Sequence, residues 1–284
     1  MKITWPKGPI SWIHDRTRFV SIPFTWNLPA VKEDLDTPGL FWDNAVVGGP
    51  AVQLLPDFFS GLHHVTVGQD APGVLQRAQP LATRTTTGCT RHCPYCAIGT
   101  GAVEPGGLVE LPDWPDLPIV CDNNLLAASQ AHFDKVIDRL IPHGWADFNQ
   151  GLDARLLTNH HAQRIAQIKK PLIRLALDAN ESKKLWENAF QLLRTAGIAL
   201  RKIRSYALIG FNDSPAEAWK RCQWIESHRI QALPMWFHKL DALEQNVVTK
   251  EQEKLGWTNC DRLKIMGYFY QHRTKPRNAR KKKK

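Results

Sequence analysis

The sequence predicts an α/β fold, a partial barrel of six βα units with a small N-terminal α/β cap. From residue 81 onward, apolar runs typical of buried strands alternate with helical periodicities, which is the pattern of a parallel sheet crossed by helices. The length of 284 residues and the apolar content of 43% suit one large globular unit with an appendage. We therefore expect a cap over residues 1–80, a barrel over 81–248, a helical segment over 249–272 and a tail over 273–284.

The first 80 residues contain two strand-like cores. They read FVSIPFTWNLP and NAVVGGPAVQLLP, and an acidic stretch that contains a proline, VKEDLDTPG, joins them. Both cores are short and apolar, as expected of strands that pack on a small sheet. They indicate a small cap instead of an independent domain.

Six further runs have the length and composition of strands. We predict strands at 81–87, 117–121, 145–149, 171–178, 202–211 and 234–240. Polar residues follow these strands, and the carboxyl ends of parallel strands meet at one mouth of a βα barrel, so we expect the residues to converge there. They are Cys89, Asp122, the stretch 149–153, Asp178, Asn212 and Asp213.

The helices between the strands have clear signals. Thr158 and Ser214 are predicted N-caps, and Glu217 completes a capping box with Ser214. A helix after the second strand is expected to end before Gly144, and another is expected to begin at Asn180. Their predicted buried stripes are Phe133, Val136, Ile137 and Leu140 in the first helix, and Leu185, Ala189, Leu192 and Ala196 in the second.

The positive charge is concentrated at one end of the chain. Residues 273–284 hold eight Lys or Arg and no acid, so the formal net charge of +10 leaves only +2 for everything before them. We expect a solvated, disordered tail, and contact with RNA or DNA is the alternative. The first residues do not resemble a secretory signal, and no run approaches the apolar length of a membrane span. The sequence therefore predicts a cytoplasmic protein without a membrane contact.

Three of the six cysteines form a cluster in the sequence. The stretch GCTRHCPYCAIG places Cys89, Cys93 and Cys96 within eight positions. Thiolates bind iron–sulfur clusters and zinc, and three of them leave one iron of a four-iron cluster open to another ligand. A Cys3His zinc site that uses His92 is the alternative. The remaining cysteines, Cys121, Cys222 and Cys260, are scattered, and we expect small buried hydrophobes or surface thiols.

CTRHCPYC resembles the Cx3Cx2C motif of the radical S-adenosylmethionine enzymes, with an aromatic before the last cysteine. The order of elements resembles that family over roughly residues 81–240, since its partial barrel has the cluster loop after the first strand. The resemblance implies a [4Fe–4S] cluster, S-adenosylmethionine as cofactor and a flavodoxin- or ferredoxin-like electron donor. It also implies that reductive cleavage of S-adenosylmethionine gives a 5′-deoxyadenosyl radical, which abstracts hydrogen from a substrate.

The resemblance also implies roles for individual residues. Cys89, Cys93 and Cys96 would be cluster ligands, Tyr95 and Gly210 would flank adenine, Asp122 and Asn123 would hold the methionyl amino group, Arg155 the methionyl carboxylate and Asp178 the ribose. Structural alternatives stay open for most of them. The two acids could be helix N-caps, Arg155 could pair with Asp153, Tyr95 could be ordinary packing, and Gly210 could serve a close backbone approach.

The cap and the substrate raise further expectations. AVVGGPAVQLLPDFF resembles the end of the cobalamin-binding domain of one radical S-adenosylmethionine branch, but the chain lacks an Asp-x-His-x-x-Gly, so we do not expect cobalamin. The substrate is expected to be either RNA, bound through the basic tail, or a small molecule or peptide near Trp236, His238 and Lys239. The competing class is a zinc- or iron–sulfur-stabilised nucleic-acid-binding protein without catalysis.

Overall fold

A computed structural model describes residues 4–68 and 73–271. The chain forms two compact units. Unit 1 is Met1–Asn123 with His238–Asn246, and unit 2 is Asn124–Phe237 with Val247–Lys284. The basic tail over 273–284 lies outside the described residues. The domain boundaries expected at residues 80 and 248 stay predictions.

Unit 1 begins with a four-stranded sheet. Its elements are β1 (Ile10–His14), β2 (Thr17–Ser21), α1 (Leu28–Asp34), β3 (Asn44–Gly48), α2 (Pro50–Leu54) and β4 (Val65–Val67). The strands lie in sequence order, with β1 antiparallel to β2 and the other pairs parallel. Val20, Val47, Leu28 and Phe59 are part of its buried core. Both predicted strand cores are therefore confirmed, as β2 and β3.

The second part of unit 1 carries the cysteines. Its elements are α3 (Val74–Ala78), β5 (Ala82–Thr83), β6 (Thr86–Thr87), β7 (Val109–Glu110) and β8 (Ile119–Val120). β5 pairs in parallel with β8, whereas β6 pairs antiparallel with β7. The prediction of one continuous strand over 81–87 is therefore wrong, because two short strands, β5 and β6, occupy this stretch. The break occurs because the Asp122 carboxylate accepts the backbone N–H groups of Thr85 and Thr86.

Unit 2 is a run of alternating helices and strands. Its elements are α4 (Gln130–Leu140), β9 (Trp145–Phe148), α5 (Asn159–Ala166), β10 (Lys170–Ala176), α6 (Lys183–Thr195), β11 (Ile203–Ile209), α7 (Pro215–Ser227), β12 (Gln231–Trp236), α8 (Lys250–Lys254) and α9 (Asn259–Gln271). Its strands pair in parallel in the order β12-β11-β10-β9. The protein is therefore α/β with mostly parallel strands, as predicted. Each of the six predicted strands overlaps an observed strand that pairs in parallel, but the first is divided into the parallel β5 and the antiparallel β6.

Most helix signals are confirmed. Thr158 and Ser214 each form a complete capping box, and the predicted stripe of α4 is buried. The stripe predicted for α6 is right at Ala189, which is buried, but wrong at Leu185, which is 45% exposed. Trp186, Phe190 and Leu193 are buried instead. These three side chains present more apolar area than the predicted stripe, so the helix turns them inward.

The last strand and the final helical segment differ from expectation in their bounds. β12 ends at Trp236, before the predicted limit of 240, and the segment after it contains two helices, α8 and α9. Within residues 4–68 and 73–271, no helix is both long enough and apolar enough to cross a bilayer.

Candidate metal centre

The three clustered cysteines lie on a long excursion between β6 and β7. The two strands pair at its base, with Thr86 opposite Glu110 and Thr87 opposite Val109. The excursion over residues 88–108 therefore leaves and re-enters the sheet at one point. Cys89, Cys93 and Cys96 lie on its first half, residues 88–99, which we call the cysteine loop.

Gly88 sets the exit of the cysteine loop from β6. Its φ is +68°, in the left-handed region that favours glycine. A Cβ placed there would lie 1.7 Å from the carbonyl oxygen of Gly107, which lies just before β7. Only glycine fits this crossing, so the GC dipeptide that opens the motif has a structural reason.

The loop folds into local turns around the cysteines. The N–H of Cys96 donates to the carbonyl of Cys93 at 3.1 Å, and the N–H of Thr100 donates to the carbonyl of Cys96 at 2.9 Å. The Sγ of Cys89 accepts the N–H of Arg91 at 3.3 Å. Backbone N–H donors to sulfur stabilise thiolate ligands and adjust cluster potentials.

The six cysteines differ in burial. All six are free thiols; the three loop cysteines are half-buried, Cys121 and Cys222 are buried, and Cys260 is exposed. Burial raises the pKa of the Cys222 thiol to about 12, so this group stays neutral and unreactive at physiological pH. The interpretation of Cys121 and Cys222 as small buried hydrophobes agrees with their burial.

The donor set of the cysteine loop fits an iron–sulfur cluster chemically. It offers three soft, half-buried thiols on one short loop, and His92 on the same loop is exposed. Among the residues that the structure describes, no three His, Cys, Asp or Glu side chains are grouped as ligands of one metal ion. The assignment of Cys89, Cys93 and Cys96 as ligands therefore stays a prediction that rests on donor chemistry.

Glu104 braces the cysteine loop from behind. Its carboxylate accepts the N–H of Gly88 at 2.7 Å and the Nδ2 of Asn123 at 2.9 Å, and forms a two-point ion pair with Arg84. The Asn123 amide also donates to the carbonyl of Gly88 at 3.4 Å. We call these four residues the Glu104 brace. It joins Gly88, at the start of the cysteine loop, to Glu104 in the second half of the excursion and to Asn123 after β8.

Sequence reasoning missed the Glu104 brace. Burial raises the pKa of Glu104, but the hydrogen bonds from Arg84 and Gly88 outweigh burial, and the pKa lies below its ordinary value. The carboxylate is therefore charged at neutral pH and stabilises the loop in that form. In the sequence the only sign was an isolated acid in AVEPGG, which a solvated turn explains equally well.

Replacing Glu104 with glutamine is expected to lower the free energy of unfolding by about 2 kcal/mol at pH 7, because charged hydrogen bonds to Arg84 and Gly88 are lost. The folded pKa is lowered, so the contribution of Glu104 is present above its unfolded pKa of about 4.3 and disappears as pH falls through the folded pKa. Urea unfolding at several pH values measures both effects. The exposed Glu33 provides the control, Glu33→Gln, and an equal loss in both variants would contradict the brace.

Asp122 ties the end of β8 to the break between β5 and β6. One carboxylate oxygen accepts the N–H groups of Thr85 at 2.6 Å and Thr86 at 3.0 Å, and the other accepts the Thr85 hydroxyl at 2.5 Å. Burial raises the pKa of this carboxyl despite these bonds. Asp122 thus has a structural task beside the loop, and its predicted contact with the methionyl amino group stays a prediction.

The remaining predicted residues of unit 2 have identifiable partners or neighbours. The guanidinium of Arg155 forms a two-point ion pair with Asp153, at 2.7 and 2.9 Å, which is the structural alternative considered above. Asp178 is half-buried just after β10. A Cβ at Gly210 would lie 2.5 Å from the ring of Trp236, so Gly210 permits the ring to pack closely. Their predicted cofactor contacts stay predictions.

The three residues predicted near the substrate belong to different units. Trp236 is buried in unit 2 and packs edge-to-face on Trp257 at 4.9 Å, as a core residue does. His238 and Lys239 belong to unit 1. Their role in binding a substrate stays a prediction.

The structure brings part of the predicted site together in unit 1. There the Glu104 brace connects Asn123 to Gly88, at the start of the cysteine loop that also carries the half-buried Tyr95. Asp122 precedes Asn123 in the chain. Arg155, Asp178 and Gly210 belong to unit 2. Comparisons of the chain with protein-family models, with curated proteins and with solved structures found no match.

Proposed function

We propose that this protein is a radical S-adenosylmethionine enzyme, with its parallel strands belonging to a partial βα barrel of that family's type. The observation that carries the proposal is the cysteine loop. Three half-buried free thiols at Cx3Cx2C spacing follow β6, the short strand that comes after the parallel strand β5, on a loop that Gly88 and Glu104 hold at its base. A position after a strand end is where βα folds present reactive groups.

Cys89, Cys93 and Cys96 would hold a [4Fe–4S] cluster by three of its irons. Bound there, the cluster would supply the one-electron reduction that cleaves S-adenosylmethionine to methionine and a 5′-deoxyadenosyl radical, for abstraction of a hydrogen atom from the substrate. A flavodoxin- or ferredoxin-like protein would deliver the electron. The six free cysteines favour a reducing compartment such as the cytoplasm.

The residues of this chain would perform the supporting tasks. The Glu104 brace fixes the loop entry beside Cys89, and the N–H of Arg91 donates to the Cys89 sulfur. Tyr95 lies between the last two cysteines, where its ring could meet adenine. Asp122, Asn123, Arg155, Asp178 and Gly210 carry the cofactor contacts that the resemblance implies, and cobalamin has no part in the proposal.

Anaerobic reconstitution tests the proposal. The protein is purified without oxygen, supplied with iron and sulfide, and then given dithionite and S-adenosylmethionine. We expect about four irons per chain and 5′-deoxyadenosine detectable by mass spectrometry. Cys93→Ala should lose both, whereas Cys260→Ala, which removes an exposed cysteine away from the motif, should retain both.

Two results would overturn the proposal. A colourless protein that holds one zinc through the loop cysteines, without 5′-deoxyadenosine, would show a structural metal site and the non-catalytic alternative. A cluster with all four irons ligated by protein, inert toward S-adenosylmethionine, would show an electron-transfer or structural cluster.

A further inference from the structure

The connections that enter the parallel strands of unit 2 are basic. They run from each helix to the next strand, over residues 141–144, 167–169, 196–202 and 228–230. These connections and Lys170, the first residue of β10, contain five Lys or Arg and no Asp or Glu. We call the five residues the basic face; they are Lys169, Lys170, Arg201, Lys202 and Arg229.

The residues of the basic face lie at one edge of the sheet. Parallel strands all begin at the same edge, and neighbouring strands are about 4.8 Å apart. The Nζ of Lys202 donates to the carbonyl of Lys169 at 2.7 Å, which joins two of the connections. β11 pairs in parallel with β12 from Arg204 and Gln231 onward. The connections that carry Lys202 and Arg229 therefore enter the sheet side by side.

The basic face is open to solvent, and its charges are not neutralised. Lys202 is half-buried and the other four residues are exposed. Within residues 4–68 and 73–271, none of the five side chains forms an ion pair. A surface with uncompensated positive charge attracts anions and raises their local concentration.

Helix dipoles do not account for these charges. A cation stabilises the C-terminal end of a helix, but the effect falls off within the last turn. α5 and α6 already have Arg164 and Arg194 in their last turns. The lysines and the arginine that follow these two helices lie beyond the C-caps Gln167 and Ala196, so their charges are additional.

Arg229 occupies a backbone position that normally takes glycine. It directly follows His228, the C-cap of α7, its φ is +63°, and its N–H donates to the carbonyl of Glu226 at 2.9 Å. A residue with a Cβ is strained in this left-handed conformation, which is where many helices end in glycine. Strain that persists at an exposed position indicates a task for the side chain. Arg229 is thus an independent sign that the basic face is functional.

The composition of the basic face fits phosphates better than a protein partner. Protein interfaces have an apolar core in which Lys is depleted. Among the residues that the structure describes, the exposed large apolar side chains include none from these connections. Ammonium and guanidinium groups without apolar neighbours suit a nucleic-acid backbone, whose contacts carry no sequence information.

We propose that the basic face binds the phosphate backbone of a nucleic acid without regard to base sequence. In βα folds the reactive groups lie at the opposite, carboxyl ends of the strands, so the basic face holds the ligand and performs no chemistry. The inference does not rest on the proposed function, because the cysteine loop and its cluster take no part in it.

Fluorescence anisotropy of a dye-labelled RNA of mixed sequence tests the inference on the full chain. The face variant combines three substitutions, Lys170→Gln, Arg201→Gln and Arg229→Gln. The control variant removes three exposed lysines elsewhere in unit 2, by Lys184→Gln, Lys220→Gln and Lys254→Gln. The two variants lose the same net charge, so the difference between them measures local contacts.

The face variant should bind RNA about tenfold more weakly than wild type at low salt, and the slope of log affinity against log salt should be smaller by about 2. The control variant should stay within about twofold of wild type. An RNA of the same length but another sequence should bind equally well, because the contacts are to phosphates.

Arg229→Gly separates binding from stability. Glycine removes the charge and relieves the left-handed strain, so this variant should have a higher Tm than wild type. It should nevertheless bind RNA more weakly, with a salt slope smaller by about 0.7. A lower Tm together with unchanged binding would contradict the role given to Arg229.

Four results would overturn the inference. Equal losses in the face and control variants would show only an effect of net charge. A strong preference for one RNA sequence would contradict backbone binding. Poly-glutamate that competes as well as unlabelled RNA of equal charge would assign the face to an acidic protein. Phosphatidylserine vesicles that bind wild type but not the face variant, while RNA binds both alike, would assign it to a membrane surface.

Discussion

Replacing Gly88 with alanine is expected to lower the free energy of unfolding by about 3 kcal/mol or more and to abolish the cluster binding that we propose for the cysteine loop. Two costs combine. Alanine is strained in the left-handed backbone conformation of residue 88, and its Cβ would lie 1.7 Å from the carbonyl oxygen of Gly107. The clash is with backbone, so a side-chain rotation cannot relieve it. The two strands at the base of the loop must separate, which displaces Cys89 and the Glu104 contact with the N–H of Gly88.

Gly101→Ala is the matched control for Gly88→Ala. Gly101 has a φ of +74°, but a Cβ there would meet no atom within 4 Å among the described residues. We expect a loss of only about 1 kcal/mol for its conformation and near-normal iron content. Urea unfolding and iron analysis of both variants separate the effect of the clash with Gly107 from the effect of the positive φ angle. Equal behaviour of the two variants would show that the close approach at Gly107 has no importance for the loop.

The features that could be predicted from the sequence are those that depend on neighbours in the chain. The N-caps Thr158 and Ser214 contact residues three positions away, and the stripe of α4 repeats every turn, so local patterns predicted them. The alternation of strands and helices likewise predicted a mostly parallel α/β fold. Each of these features has its physical cause inside a window of a few residues.

The features that were missed depend on distant partners. Glu104 meets Arg84 and Asn123, which lie 20 and 19 positions away, and no local pattern announces such a meeting. The Asp122 carboxylate accepts the N–H groups of Thr85 and Thr86, which lie 37 and 36 positions away, so this contact too had no local sign. The α6 stripe failed for another reason, since two apolar stripes overlap in that helix and the larger side chains of Trp186 and Phe190 decide which one is buried.

Arg221→Met is expected to lower the free energy of unfolding by about 3–5 kcal/mol. Arg221 and Asp213 form an ion pair with side chains only 3% and 8% exposed, and Arg221 also donates to the carbonyl of Leu208. Methionine keeps the length of the side chain but leaves the Asp213 carboxylate buried without its counter-charge. Asp213 also accepts the N–H of Gly210 at 2.7 Å, so the loop after β11 should loosen as well. Thermal and urea unfolding measure the loss. The control is the exposed ion pair of Arg16 and Asp43, where Arg16→Met is expected to change stability little.

The double variant Asp213→Asn, Arg221→Met tests whether the buried charge is the cause. Asparagine can still accept the N–H of Gly210 but carries no charge, so the double variant should be more stable than Arg221→Met alone.

The pH dependence of the stability of Arg221→Met supplies a second test. Burial already raises the pKa of Asp213, and loss of Arg221 should raise it further. An acid whose folded pKa lies above its unfolded pKa destabilises the fold as pH rises between the two values, so Arg221→Met should lose more stability at about pH 7.5 than at about pH 5. A pH-independent loss, equal in the single and double variants, would instead assign the effect to the packing of the Arg221 side chain.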